Sequence, residues 1–232
     1  MPVNRSLLLA LSLSLPLPLV ACAPAASPPS VIGPMESVSL NNAVTVPAQG
    51  ERRATLIVYS GGKVKPEAYR YLGEALAPSG IQTVILGFPQ DLAIFAPNRA
   101  DEVLARLPAG EKVYLAGHSL GGVTAAQYLE QHRGRVAGLI LLGSYPAENV
   151  SLRGQPLRVL DLLAENDGLS TPDKVEAGLA RLPESTQLVR LPGAVHAFFG
   201  RYGEQAGDGT PTATREATEA RIVDAVRAFI LP

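Results

Sequence analysis

Tryptophan is absent from this 232-residue chain, cysteine occurs once and histidine only three times. A single cysteine cannot form an internal disulfide, and it excludes every zinc site built from several cysteines. The histidines stand at 118, 132 and 196, too scattered for a His-x-x-x-His ligand pair. Neither charge sign is in excess: 20 Lys+Arg against 21 Asp+Glu give a net charge of −1. No basic surplus is therefore available to neutralise a nucleic-acid backbone. No glycine-rich phosphate loop follows a strand either, so neither cofactor nor metal is expected. What is present is ordinary for a globular domain. With 47% hydrophobic residues, 22 Gly and 20 Pro, the chain is neither a coiled coil nor disordered, and its length suits one domain.

The longest apolar run, residues 6–21, follows Arg5. It falls short of the roughly 20 residues that span a bilayer, and Pro16 and Pro18 would break a helix there. A positive residue, a short apolar stretch and small residues at its end describe a secretory signal over 1–21. The run ends in Leu19-Val20-Ala21-Cys22, which resembles the bacterial lipobox. The resemblance implies that Cys22 is lipidated and becomes the new N-terminus, with a cell-envelope membrane as its partner. Several acyl chains on one cysteine would anchor it stably. The alternative is a plain small-x-small cleavage at Ala21-Cys22-Ala23, giving a soluble secreted or periplasmic protein. Residues 22–36, rich in Pro, Ala and Ser, read as a semi-rigid tether. The folded domain is expected over 37–232.

Within that domain, short β-branched runs alternate with amphipathic stretches. Strands are expected at 55–60, 82–86, 112–116, 136–142, 157–164 and 186–191, with an antiparallel edge at 44–46. Most are continuously apolar, as strands covered on both faces must be. Helices are expected at 66–76, 99–107, 120–132, 171–182 and 214–230. In the first, proline occupies the opening turn. The second carries Val103, Leu104 and Leu107 and stops before Pro108. In the third, Val123, Gln127 and Glu130 are expected on different faces. In the last, Ile222, Val226 and Phe229 are spaced for one buried stripe. This alternation predicts a three-layer α/β domain with a mainly parallel sheet.

The strand at 112–116 runs into Gly117-His118-Ser119-Leu120-Gly121-Gly122 and then a helix. This is G-x-S-x-G in the strand–turn–helix setting of a nucleophile elbow, where the flanking glycines make room for a strained serine. The plainer reading is a glycine-rich helix entry with Ser119 as a capping residue. A serine hydroxyl needs a base to take its proton and a carboxylate to orient that base. In this setting acid and then histidine follow later strands. His132 falls on the elbow helix, about three turns on, and is expected to face solvent. That leaves His196, just past the last strand, as the base. The preceding strand leads to Glu165-Asn166-Asp167-Gly168. Asp167 is the preferred acid, although Asn-Asp-Gly is also a good turn. Glu165 and Asp173 are its rivals, the latter suited to a helix's first turn. Leu120 N–H and a donor from Ser60-Gly61-Gly62-Lys63 would form the oxyanion hole, with Gly62 preferred and Lys63 as alternative.

From about residue 54 onward the chain resembles a single-domain α/β-hydrolase of the dienelactone-hydrolase and small-esterase kind. The segment from His196 to Gly209, H-A-F-F-G-R-Y-G-E-Q-A-G-D-G, is similar to the H-A-x-F-G-x-Y-G-x-Q-x-G-D-G stretch of a family of small bacterial hydrolases. That likeness supports Ser119, Asp167 and His196 as a triad. Relatives often show Pro-Gly-Gly where this chain has Ser60-Gly61-Gly62, and the resemblance gives Tyr202 and Asp208 no role. The chemistry expected is acyl transfer from an ester to water, falling off below about pH 6–7 because the histidine base must be neutral. A connection of only 143–156 leaves no room for a helical lid, so small or accessible substrates are expected at an open site. Ser144, Tyr145, Phe88, Ile94 and Phe95 are candidate pocket neighbours or ordinary core and loop residues. A serine peptidase or acyltransferase on the same scaffold, and a non-catalytic surface binding module, remain the alternatives.

Overall fold

The computed structural model describes Met1 and residues 40–232. The expected signal, tether, Cys22 anchor and domain start at 37 lie outside the described residues. Seven strands form among the described residues: β1 (Ala43–Val46), β2 (Ala54–Tyr59), β3 (Ile81–Leu86), β4 (Val113–His118), β5 (Gly138–Leu142), β6 (Arg158–Ala164) and β7 (Gln187–Leu191). They make one sheet in the order β1-β3-β2-β4-β5-β6-β7. The pairing of β1 with β3 is antiparallel and every other pairing is parallel.

Continuous apolar runs are required because successive side chains on a strand enter opposite faces. On β2, Leu56 and Val58 join one core, while Ile57 and Tyr59 join the other. The edges read differently. On β1 only Val44 and Val46 are buried, and β7 is buried only at Leu191.

Among the described residues five α-helices cover the sheet: α1 (Arg70–Leu76), α2 (Ala100–Leu104), α3 (Leu120–Gln131), α4 (Pro172–Gly178) and α5 (Arg215–Ile230). Leu72 of α1 and Ile222, Val226 and Phe229 of α5 pack into the first core. Val103 of α2 and Ala125 and Leu129 of α3 pack into the second. The result is a three-layer, single-domain α/β fold. The expected 66–76 helix starts as a 3-10 turn, Pro66–Tyr69, before becoming α1. The expected 99–107 helix is shorter than its pattern. Arg106 N–H bonds Val103 O in a tightened last turn, because the backbone must leave the α region ahead of Pro108. On α3 the expectation for Val123, Gln127 and Glu130 is corrected. They share one half-exposed stripe, as residues spaced by four and three must.

The residues between β5 and β6 contain no helix, in keeping with the absence of a large cap. Among the described residues no helix is long and apolar enough to cross a membrane. Parallel strands send their carboxyl ends to one edge of the sheet, where ligand sites of open α/β sheets form. Ser119 follows β4, Asp167 follows β6 and His196 follows β7, so all three stand at the carboxyl-end edge of the β4-β5-β6-β7 run, and the adjacent β6 and β7 bring Asp167 and His196 together.

Candidate active site

Ser119 sits at φ 52, ψ −125, in the positive-φ region that a residue with a Cβ avoids. Its surroundings impose this. A Cβ on Gly117 would come within 2.5 Å of Gly122 Cα, and one on Gly121 would overlap the carbonyl oxygens of Tyr59 and Ser60. The turn therefore lies flat against the ends of β2 and β4, as the elbow motif requires. Ser119 N–H bonds Leu142 O at 3.1 Å, and Ser144 Oγ donates to Ser119 O at 2.7 Å. The hydroxyl of Ser119 is not spent on capping α3. The capping-serine reading is thereby removed.

Asp167 Oδ2 lies 2.7 Å from His196 Nδ1, with both side chains fully buried. Asp167 Oδ1 accepts from Leu169 N–H at 2.8 Å and Ser170 N–H at 2.7 Å, which fixes the carboxylate by its own turn. Turn former and histidine partner are thus the same residue. The rivals stand elsewhere: Glu165 accepts from Gly193 N–H at 2.8 Å, and Asp173 is exposed in the first turn of α4. With Nδ1 engaged, His196 Nε2 is buried without a hydrogen-bond partner among the described residues. The expectation that His132 faces solvent is corrected. It is half-buried, stacked on Tyr128 at 4.3 Å, and its Nδ1 lies 2.9 Å from Tyr128 O.

Behind the elbow lies a polar chain that the sequence does not announce. Tyr69 OH accepts from Gly61 N–H at 2.9 Å and lies 2.8 Å from His118 Nδ1. Burial raises the Tyr69 phenol well above its usual range. Burial first, and the neighbouring His196 second, hold His118 well below the ordinary histidine value. A protonated phenol and a neutral imidazole are mutually consistent: Tyr69 O–H donates to Nδ1, and the ring proton sits on Nε2. The His118 ring is 4.6 Å from that of His196. A neutral His118 leaves no competing cation beside the candidate base.

The oxyanion expectation also becomes geometric. Lys63 N–H is taken by Asp91 O at 2.8 Å. Gly61 N–H is taken by Tyr69, and Gly62 N–H has no partner among the described residues. Leu120 opens α3, where the first N–H groups of a helix are unpaired. A Cβ on Gly62 would lie 3.3 Å from Leu120 Cδ2, so the two expected donor residues are adjacent.

Of the expected pocket neighbours, Phe88 is core, packed on Tyr59 at 5.1 Å, and Tyr145 is half-buried. Ile94 and Phe95 are exposed, 49% and 54%, on the segment beyond β3. Ser119, Leu120 and Gly62 are half-buried, so this end of the site reaches the surface while the acid–base pair does not. A groove of about 540 Å³ between α1 and α5, lined by Tyr71, Glu74, Arg201 and Glu219 among others, contains none of these residues. Among the described residues no group of three or more His, Cys, Asp or Glu is arranged to hold a metal ion.

Similarity to known proteins follows the same lines. The profile of the Alpha/beta hydrolase family matches residues 55–220. The chain has no match among curated proteins. Est1E from Butyrivibrio proteoclasticus, solved with ferulic acid bound, superposes with a TM-score of 0.64 at 15% identity, over 82% of this chain and 94% of that one. The monoacylglycerol lipase of Paleococcus ferrophilus gives 0.63 at 16% identity, covering 81% and 98%. An alpha-beta serine hydrolase homologue from Coxiella burnetii gives 0.61 at 16% identity, covering 80% and 89%. At these identities the likeness concerns the fold.

Proposed function

Because the chain belongs to the alpha/beta hydrolase family, we propose that it is a serine hydrolase cleaving carboxylic esters through Ser119, His196 and Asp167. The observation that carries the reading is the fully buried 2.7 Å contact between Asp167 Oδ2 and His196 Nδ1, which leaves His196 Nε2 without a hydrogen-bond partner among the described residues. Asp167 holds the imidazole in the tautomer with its proton on Nδ1. Nε2 then takes the Ser119 proton as Oγ bonds to the substrate carbonyl carbon. The carbonyl oxygen becomes an oxyanion, met by the N–H groups of Leu120 and Gly62. Collapse breaks the ester C–O bond, and the leaving alkoxide receives the proton from Nε2. Water repeats the sequence on the acyl-enzyme, releasing the acid and restoring Ser119.

Three features support an ester substrate of small or accessible kind: the unlidded β5–β6 connection, the half-buried nucleophile and esterase-like folds among the neighbours. Lipid anchorage at Cys22, after export, completes the proposal and rests on the Leu19–Cys22 pattern alone. The test is covalent labelling with a fluorophosphonate serine probe alongside a panel of p-nitrophenyl esters and peptides. Labelling and ester turnover are expected, both lost in Ser119→Ala, with turnover down by at least about 10³-fold. An intact protein that takes up no label sinks the enzyme reading. Turnover of peptides in preference to esters redirects it to a peptidase.

A further inference from the structure

We infer that Asp208 is a positioning carboxylate that binds the acid loop and the base loop of the site into one frame. The inference rests on the triad reading and goes beyond it. Asp208 Oδ1 accepts from His196 N–H at 3.0 Å, Gly209 N–H at 2.8 Å and Gly168 N–H at 3.3 Å. Asp208 Oδ2 accepts from Ala197 N–H at 2.8 Å. One side chain thus holds the backbone of the base and of the residue directly after the acid.

His196 opens a 3-10 turn, His196–Phe199, whose first N–H groups have no partner within the turn. Carboxylate acceptors satisfy such groups with short, charge-assisted bonds. The acid loop is fastened from the same side. A Cβ on Gly209 would overlap the carbonyl oxygen of Asn166, so only glycine lets this segment lie backbone to backbone against the loop carrying Asp167. Asn166 adds a bond from Nδ2 to Thr210 O at 3.0 Å. The two carboxylates divide the work. Asp167 is turned to the imidazole ring, and Asp208 to the main chain on which ring and acid are mounted. Glu165 N–H to Leu191 O at 3.1 Å, Asn166 N–H to Ala194 O at 2.8 Å and Gly193 N–H to Glu165 Oε2 at 2.8 Å also join the two loops, but they hold the loop stems, whereas Asp208 takes the N–H of His196 itself.

The experiment compares purified wild type, Asp208→Asn, Asp208→Ala and Asn166→Ala. The last variant cuts the Nδ2 bonds to Thr210 O and Thr212 Oγ1 and leaves all four contacts of Asp208 in place. Readouts are kcat and KM on p-nitrophenyl acetate, thermal midpoint, and the deshielded Nδ1 proton of His196 by NMR. Both Asp208 variants should lose about 100-fold in kcat, the scale of a misplaced catalytic group, with KM within about threefold. Their Nδ1 proton signal should shift or broaden at temperatures where circular dichroism shows folded protein. Asn166→Ala should lower the midpoint while keeping kcat within about threefold and the signal in place. An Asp208→Asn protein with near wild-type kcat and an unmoved signal overturns the inference. If the wild type neither labels nor turns over, the triad reading fails separately, and the proton signal still decides whether Asp208 positions the Asp167–His196 pair.

Discussion

Asp161 lies on β6 with 0% exposure, and neither carboxylate oxygen has a hydrogen-bond partner among the described residues. Burial raises its pKa well above the usual carboxylate range. The folded state therefore keeps a proton that the unfolded chain releases above about pH 4. Stability from this group is complete below that pH and declines as pH rises towards the folded value. Asp161→Asn removes the titration. The variant's advantage in urea unfolding should grow between pH 4 and pH 8, by up to about 1.4 kcal/mol per unit until Asp161 ionises in the fold. A constant difference across that range would contradict the account. At this scale the sequence is legible where chemistry has a fixed address. Ser119, Asp167 and His196 each follow a recognisable strand. Tyr69 and Asp208 do not declare themselves, because their partners are backbone groups and rings brought near only by folding. His118 is 49 residues from Tyr69, and Gly168 is 40 from Asp208.

Elements are more legible than their ends. Each expected strand forms within two residues of its expected bounds, since burial on both faces demands the apolar run that reveals it. Helix ends are set by local competition that hydrophobic spacing does not record, as the early stop of α2 ahead of Pro108 illustrates. The N-terminus of α5 is an exception, written in its residues. Thr214 Oγ1 accepts from Ala217 N–H at 3.2 Å, and Arg215 Nη1 reaches Ala197 O at 3.0 Å and Gly200 O at 2.8 Å. Loss of a threonine cap costs about 1 kcal/mol. Thr214→Ala should therefore lower the thermal midpoint by about 2–4 °C in calorimetry, with probe labelling of Ser119 retained. A fall of more than about 10 °C would mean that the cap also supports the His196 turn.

For the whole molecule the proposed anchor sets where the chemistry happens. If Cys22 carries lipid, the wild type should sediment with membranes and Cys22→Ser should move to the soluble fraction, with turnover per molecule on a soluble ester unchanged within about twofold. A Cys22→Ser protein that still sediments removes the anchor and leaves the catalytic proposal standing. The order of strands along the chain has a consequence in time. Ser119 follows the fourth strand, whereas His196 and Asp208 follow the last. A polypeptide emerging N-terminus first acquires the proposed nucleophile well before the groups that would arm it. If the proposed triad is the catalytic one, every incomplete chain is thereby inert, and hydrolysis begins only once the C-terminal third has been made and docked.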